Sequence, residues 1–302
     1  MIAMRAGAGV LAFALFAGAV GLHLLHDRLG PLPLPASSED VMYVRSPAVV
    51  TRAALSFDGL ASDVYWMRAI QVYGGTKRST DPNKSYAQLY PLLDLATSLD
   101  PYFETAYRFG AIFLSEPYPD GPGRPDQAIA LLDKGLAAEP NHWQYAQDIG
   151  FVHYWWRHDY KAAADWFLKA QQIGGPAWLT PLAAVTLAQG GNRASSRQLW
   201  TQLTSSDLAW LRDVARRRLT QLDAMDQIDA LRLVAGRYEQ RSGVRVTSWQ
   251  QLVAAGQLRR MPVDPAGYPY LLDGQRAIIT LDPRSPLNPL PIEPVSINQV
   301  PK

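Results

Sequence analysis

The chain has 302 residues, of which 48% are apolar, 19% charged and 10% aromatic, with a formal net charge of +2. That apolar share supports a buried core and excludes a disordered tail or a collagen-like repeat. Lys and Arg total 29 against 27 Asp and Glu, which leaves no global field for dedicated nucleic-acid binding. The complete lack of Cys excludes thiol catalysis, disulfides and Cys-held metal clusters, while leaving the compartment open.

The first predicted element is a membrane segment at residues 6–25, AGAGVLAFALFAGAVGLHLL, which carries no formal charge. As a helix it matches the roughly 30 Å of a bilayer's hydrocarbon core. Arg5 precedes it, and beyond it Asp27 offsets Arg28, so the positive-inside bias places the amino terminus in the cytoplasm. The expectation is a single-pass anchor, residues 1–28, in a bacterial inner membrane with the bulk of the chain periplasmic. A cleaved signal peptide ending at Ala17-Gly18-Ala19 is the competing reading. Residues 29–50 read as a linker, in which Pro31, Pro33 and Pro35 make a stiff spacer.

Residues 51–206 repeat themselves. The clearest unit is Asp159-Tyr160 followed by Ala163, Phe167 and Ala170, with Ile149-Gly150 before it and Gly174-Gly175-Pro176 after it. A second copy shows Phe109-Gly110, Ala128, Leu132, Gly135 and Glu139-Pro140, and an earlier one Leu89, Leu93, Ala96 and Asp100-Pro101. Small residues at such spacing let two helices cross closely, a large one fills the gap between them, and Pro ends the second helix. On these residues the segment resembles the tetratricopeptide repeat (TPR) family, which implies paired helices stacked into an α-solenoid. Insertions at Gly74 to Lys84 and Glu116 to Pro125 are expected as loops on one edge of that stack. The last unit, Trp178 to Leu203, turns at Gly190-Gly191-Asn192 and has Ser196 where a strict repeat has Ala.

The resemblance further implies that protein partners bind a concave face lined by the first helix of each pair. Carried onto this chain, that face comprises Met67, Gln71, Tyr107, Arg108, Ala111, Gln144, Gln147, Asp148, Phe151, Tyr154 and Trp155. Aromatic and Arg side chains are the kind that dominate interface energetics. Packing between neighbouring helix pairs is the alternative role for Phe151, Tyr154 and Trp155.

Residues 207–243 predict one long helix, with a cap at Ser206, an apolar stripe from Leu208 through Tyr238 and a stop at Gly243. Its Arg212, Arg216, Arg217 and Arg218 are interleaved with Asp213 and Asp223, which suits a solvated or membrane-facing side better than phosphate binding. A small α/β module follows at 244–285. Thr247 or Ser248 caps a short helix from Trp249, Gly256 ends it, and Asp273-Gly274 turns a β-hairpin between Tyr268–Leu272 and Gln275–Leu281. From Ile228 to Leu272 the chain resembles the head of type II secretion major pseudopilins. The residues that carry this are Leu252-Val253, Gly256, Leu258 and Pro262-Val263-Asp264-Pro265, with Gly267, Pro269 and Tyr270. Ala266 stands where an aromatic is usual there, and neither a pilin leader nor calcium-loop carboxylates are present. Residues 286–302 form a Pro-rich tail.

No Gly-x-Ser-x-Gly, His-Glu-x-x-His, Ser-x-x-Lys or phosphate-loop pattern occurs. His153 and His158 are five apart, on different sides of a helix, and His142 sits at a repeat boundary, so no metal set is expected. Asp58 and Asp63 read as cap and rim charges. The sequence thus predicts a mainly α protein without catalysis, cofactor, metal, nucleic-acid or small-molecule substrate: a membrane-anchored scaffold or accessory subunit that binds protein partners. An accessory component of a secretion or pilus-like machine, acting through the end module, is the alternative.

Overall fold

In the computed structural model, residues 16–18, 20–21, 46–274 and 278–293 are described. The expected anchor and linker fall mostly outside these residues, as does the end of the tail. Among the described residues no helix is long and apolar enough to cross a membrane. Phe16 and Val20, which belong to the apolar run, are helical and exposed.

The chain is mainly helical with one small two-stranded antiparallel sheet. Its helices are α1 (Pro47–Ala54), α2 (Asp58–Arg78), α3 (Leu89–Leu99), α4 (Glu104–Ser115), α5 (Pro125–Ala138), α6 (Trp143–Val152), α7 (Tyr160–Gln172), α8 (Leu179–Gln189) and α9 (Arg193–Leu203). The long α10 (Ala209–Ser242) and short α11 (Trp249–Ala254) lead to strands β1 (Tyr270–Asp273) and β2 (Ile278–Leu281). From α1 to α10 the helices pack in sequence order, each against its immediate neighbour and several also against the next but one. Local chemistry sets the boundaries. Asp159 accepts from the Ala162 N–H at 3.0 Å to start α7, Asn192 accepts from Ser195 at 3.1 Å to start α9, and Pro125 opens α5, where it costs no hydrogen bond.

The repeat residues lie where the helices touch. A Cβ on Gly150 would stand 2.5 Å from Phe167 Cε1, so the glycine is what admits the fully buried ring between α6 and α7. Ser196 is buried as an Ala would be, and its hydroxyl is satisfied by donating to the Ala184 carbonyl at 2.7 Å. One apolar core runs from α2 to α6 through Leu93, Tyr107, Leu114, Leu131 and Tyr145, and a second joins α6, α7 and α8 through Ala163, Phe167 and Ala183.

Helix α10, 34 residues and about 51 Å long, takes part in two cores. Its amino half closes the helical array, with Ala215 and Leu222 against Trp200 and Ala188. Its carboxyl half packs Ala224, Ile228 and Leu231 against Trp249, Leu252, Tyr270, Ile279 and Leu281. Trp249 Nε1 donates to the Tyr270 carbonyl at 2.8 Å, and Tyr270 Oη donates to Gln227 Oε1 at 2.9 Å, which locks the hairpin onto the helix. Buried Asp264 organises the preceding loop by accepting from the N–H groups of Ala266 and Tyr268, each at 2.9 Å, and from Ser285 Oγ at 2.5 Å.

Three local expectations are corrected. Gly74 to Arg78 are helical, because α2 continues through both glycines, so only the later part of that insertion is a loop. Helix α10 begins at Ala209, after Ser206 Oγ has accepted from the Leu208 N–H at 3.3 Å. Asp273 pairs with Ile278, so residues 274–277 connect the strands and a two-residue Asp-Gly turn does not form. The basic run of α10 is solvated, with Arg216 and Arg217 exposed and Arg218 partly buried; Arg217 donates to the Asn288 carbonyl and Arg218 to Gln221 Oε1. The two insertions do share an edge, and they bond to each other. Tyr118 Oη donates to the Pro82 carbonyl and Tyr86 Oη to the Pro119 carbonyl, each at 2.9 Å. Below them Lys77 donates to Glu116 at 2.6 Å, and Tyr73 donates to the same carboxylate. Although burial alone would raise it, these bonds hold the Glu116 carboxyl below its ordinary range.

Candidate functional site

Arg108 sits in the middle of α4 and Asp148 near the end of α6. Arg108 Nε donates to Asp148 Oδ2 at 2.6 Å and its Nη1 to Glu104 Oε1 at 3.0 Å. Burial pushes the Asp148 carboxyl up, opposed by the guanidinium, whose own proton is held more tightly by the same bond. Burial would likewise raise Glu104, but its bond to Arg108 keeps it below the usual carboxylate range.

Beside this pair opens a cleft of about 270 Å³, walled by Ala111 and Ile112 of α4, Phe151 and Val152 of α6, and Trp155 and Trp156. The two tryptophans belong to a π-helical turn, His153–Arg157, that widens the end of α6 and closes at His158 in left-handed backbone with φ 51°. Trp155 and Trp156 each follow a cleft residue, Phe151 and Val152, by four positions, and so share its face. Such single π turns are frequent at functional sites. Trp155 is 50% exposed, while Trp156 also leans on the core behind it. Phe151 stands edge-on to Phe167 at 5.1 Å and 6.0 Å from Trp155 between ring centroids. Tyr154 braces the turn from the other side by donating to Gln189 Oε1 of α8 at 2.7 Å.

Of the residues expected on a binding face, the cleft gathers Arg108, Ala111, Asp148, Phe151 and Trp155. Tyr107 does not belong with them. It is fully buried, 5.3 Å from the Tyr145 ring and hydrogen-bonded to the Thr97 carbonyl, because it fills the space over Gly135 where two helices cross. Met67 and Gln71 are exposed on α2, and Gln144, Gln147 and Tyr154 are partly buried outside the cleft lining. Ile112, Val152 and Trp156 were missed. Ile112 was legible one turn after Arg108, and Trp156 lies one turn after Val152, itself left out of the expected face.

A larger cavity of about 710 Å³ lies where the α8–α9 turn, α10, β2 and residues 288–293 meet. Arg193 at its wall donates to both Glu293 oxygens at 2.6 Å and to Asp226 and Asp229. These four charges fasten the beginning of the tail across the molecule.

No protein-family model matches the chain, and neither curated proteins nor solved structures match it.

Proposed function

We propose that this chain is a membrane-anchored scaffold whose TPR-like stack of helices holds a protein partner in the cleft beside Arg108. The observation that carries the reading is the cleft itself: an apolar slot sized for a side chain, with an exposed indole at its lip and an arginine at its wall. Buried aromatic and Arg anchors of this kind supply most of the energy of protein interfaces. Arg108 has five N–H donors, and those not engaged by Glu104 and Asp148 are open to a backbone carbonyl of the bound segment. Asp148 has each oxygen turned to Arg108, which favours a binding role over proton transfer. In-order packing of α1 to α10 supports the solenoid reading, and the charge-free run at 6–25 supports the anchor.

The test is affinity purification of the full-length chain in mild detergent, with intact-mass analysis of everything retained. The expected result is this chain at full mass with one or more polypeptides at fixed ratio, lost from the Trp155→Ala variant whose melting is unchanged. Recovery of the chain alone, or equal recovery of partners by Trp155→Ala, overturns the reading.

A further inference from the structure

The first two helices leave an apolar edge uncovered. Helix α1 ends at Leu55 and Ser56, both in left-handed backbone with φ 50° and 76°, and this elbow turns Leu55, Phe57 and Leu60 outward at 78, 68 and 64% exposure. Val64, Met67 and Ile70 continue the exposed stripe along α2 at helical spacing, while Tyr65, Trp66 and Ala69 on the opposite side enter the core. Stacked repeats ordinarily end on a polar outer face, whereas here exposed apolar side chains outnumber the Asp63 and Gln71 set among them, and an exposed apolar patch of this kind marks a contact site.

The chain before α1 indicates the occupant. The charge-free run ends at residue 25 and α1 starts at Pro47, so the residues between reach at most about 75 Å. The elbow, at the start of α2, is therefore within reach of the bilayer that the run would enter. Phe16 and Val20 of the run are themselves exposed and so do not cover it. Arg52 on α1 is exposed one turn before the elbow.

The geometry points to a membrane-seating surface: Leu55, Phe57 and Leu60 insert at the boundary of headgroups and acyl chains, with α2 lying along the lipid surface. This rests on residues 6–25 being an uncleaved anchor. Tethering raises the local concentration of bilayer, so a few buried side chains are enough to hold the contact. The contact draws on apolar burial rather than on a basic cluster, because Asp58 and Asp63 accompany Arg52 and Arg68, and it is therefore insensitive to salt.

The absence of Cys permits a direct test. Full-length Phe57→Cys, labelled with the fluorophore NBD, is placed in phosphatidylcholine nanodiscs with and without doxyl-labelled lipid. Leu233→Cys, at an exposed apolar position of α10, serves as the comparison. The expected result is at least twofold quenching of the label at 57 by doxyl lipid, little changed at 0.5 M salt, and none at 233. A label at 57 that stays unquenched while the chain co-elutes with the discs overturns the seating and leaves the anchor reading standing. A blue-shifted label that doxyl lipid does not quench, with disulfide dimers of the unlabelled Phe57→Cys chain forming under oxidation, also overturns it and assigns the patch to a second copy. Failure of the chain to co-elute with discs overturns the anchor reading, and the seating with it.

Discussion

Arg108 on α4 and Asp148 on α6 meet at 2.6 Å across 40 residues of sequence, and this bond fixes the distance between the two walls of the cleft. Removing the guanidinium leaves a mostly buried carboxylate without its partner. Arg108→Ala is expected to destabilise the fold by about 1 to 2 kcal/mol at pH 7, below the range for a fully buried pair because Arg108 is partly exposed. Asp148 has a folded-state pKa raised by burial, so it binds a proton more readily folded than unfolded. Its charged form therefore opposes folding above that pKa, and the opposition fades as pH falls through it. The Arg108→Ala defect should shrink between pH 7 and pH 5 in urea titrations, and the Arg108→Ala, Asp148→Asn double variant should lose that pH dependence.

Gly150 presents the opposite problem, a side chain with no room. Alanine there gains up to about 1 kcal/mol of helix propensity but drives a methyl into the Phe167 ring, which has no exposed side to retreat toward. Overpacking at about 1 to 3 kcal/mol outweighs the gain. Gly150→Ala should lower the urea midpoint, and combining it with Phe167→Leu should restore part of the loss.

Gln221 is buried in α10 and donates to the carbonyls of Leu287 at 2.7 Å and Pro289 at 2.9 Å. Gln221→Leu leaves both acceptors without a donor, at a cost of about 1 to 3 kcal/mol. Limited proteolysis should then cut within residues 286–293 well before the helices, which in the parent chain those bonds protect.

Asp282 is gripped by the Arg284 side chain at 2.8 and 3.0 Å and by its N–H at 2.8 Å, which holds the carboxyl down to about 2. A depressed folded-state pKa contributes stability above the ordinary value of 3.8 that is lost as pH falls toward about 2. Asp282→Asn should be less stable than the parent at pH 6, with the difference closing between pH 4 and pH 2 when followed by circular dichroism.

Helical content was legible because small residues recur at fixed offsets and because Asp159, Asn192 and Gly243 punctuate the ends of helices with side-chain or backbone chemistry of their own. Gly74 and Gly75 misled for a physical reason: both sit inside α2, where tertiary packing and the Lys77 contact to Glu116 outweigh their weak helix propensity. At the site, the repeat resemblance places Arg108, Asp148 and Phe151 on the cleft but also carries over Tyr107, since a repeat pattern does not tell the face toward a ligand from the face toward the next helix. Val152 and Trp156 went unselected together, because they are one turn apart and the repeat pattern marks neither. Docking of residues 286–293 was equally hidden. It depends on Arg193 and Gln221, 100 and 66 residues away from Glu293 and Leu287.

Helix α10 gives half its length to each of two cores, and no residue along it belongs to neither long enough to serve as a joint. The array and the end module are thus spliced rather than linked. Heat should melt them in a single calorimetric transition, and a gene divided at codon 243 would leave the end-module fragment without the α10 wall of its interior and the carboxyl half of α10 uncovered.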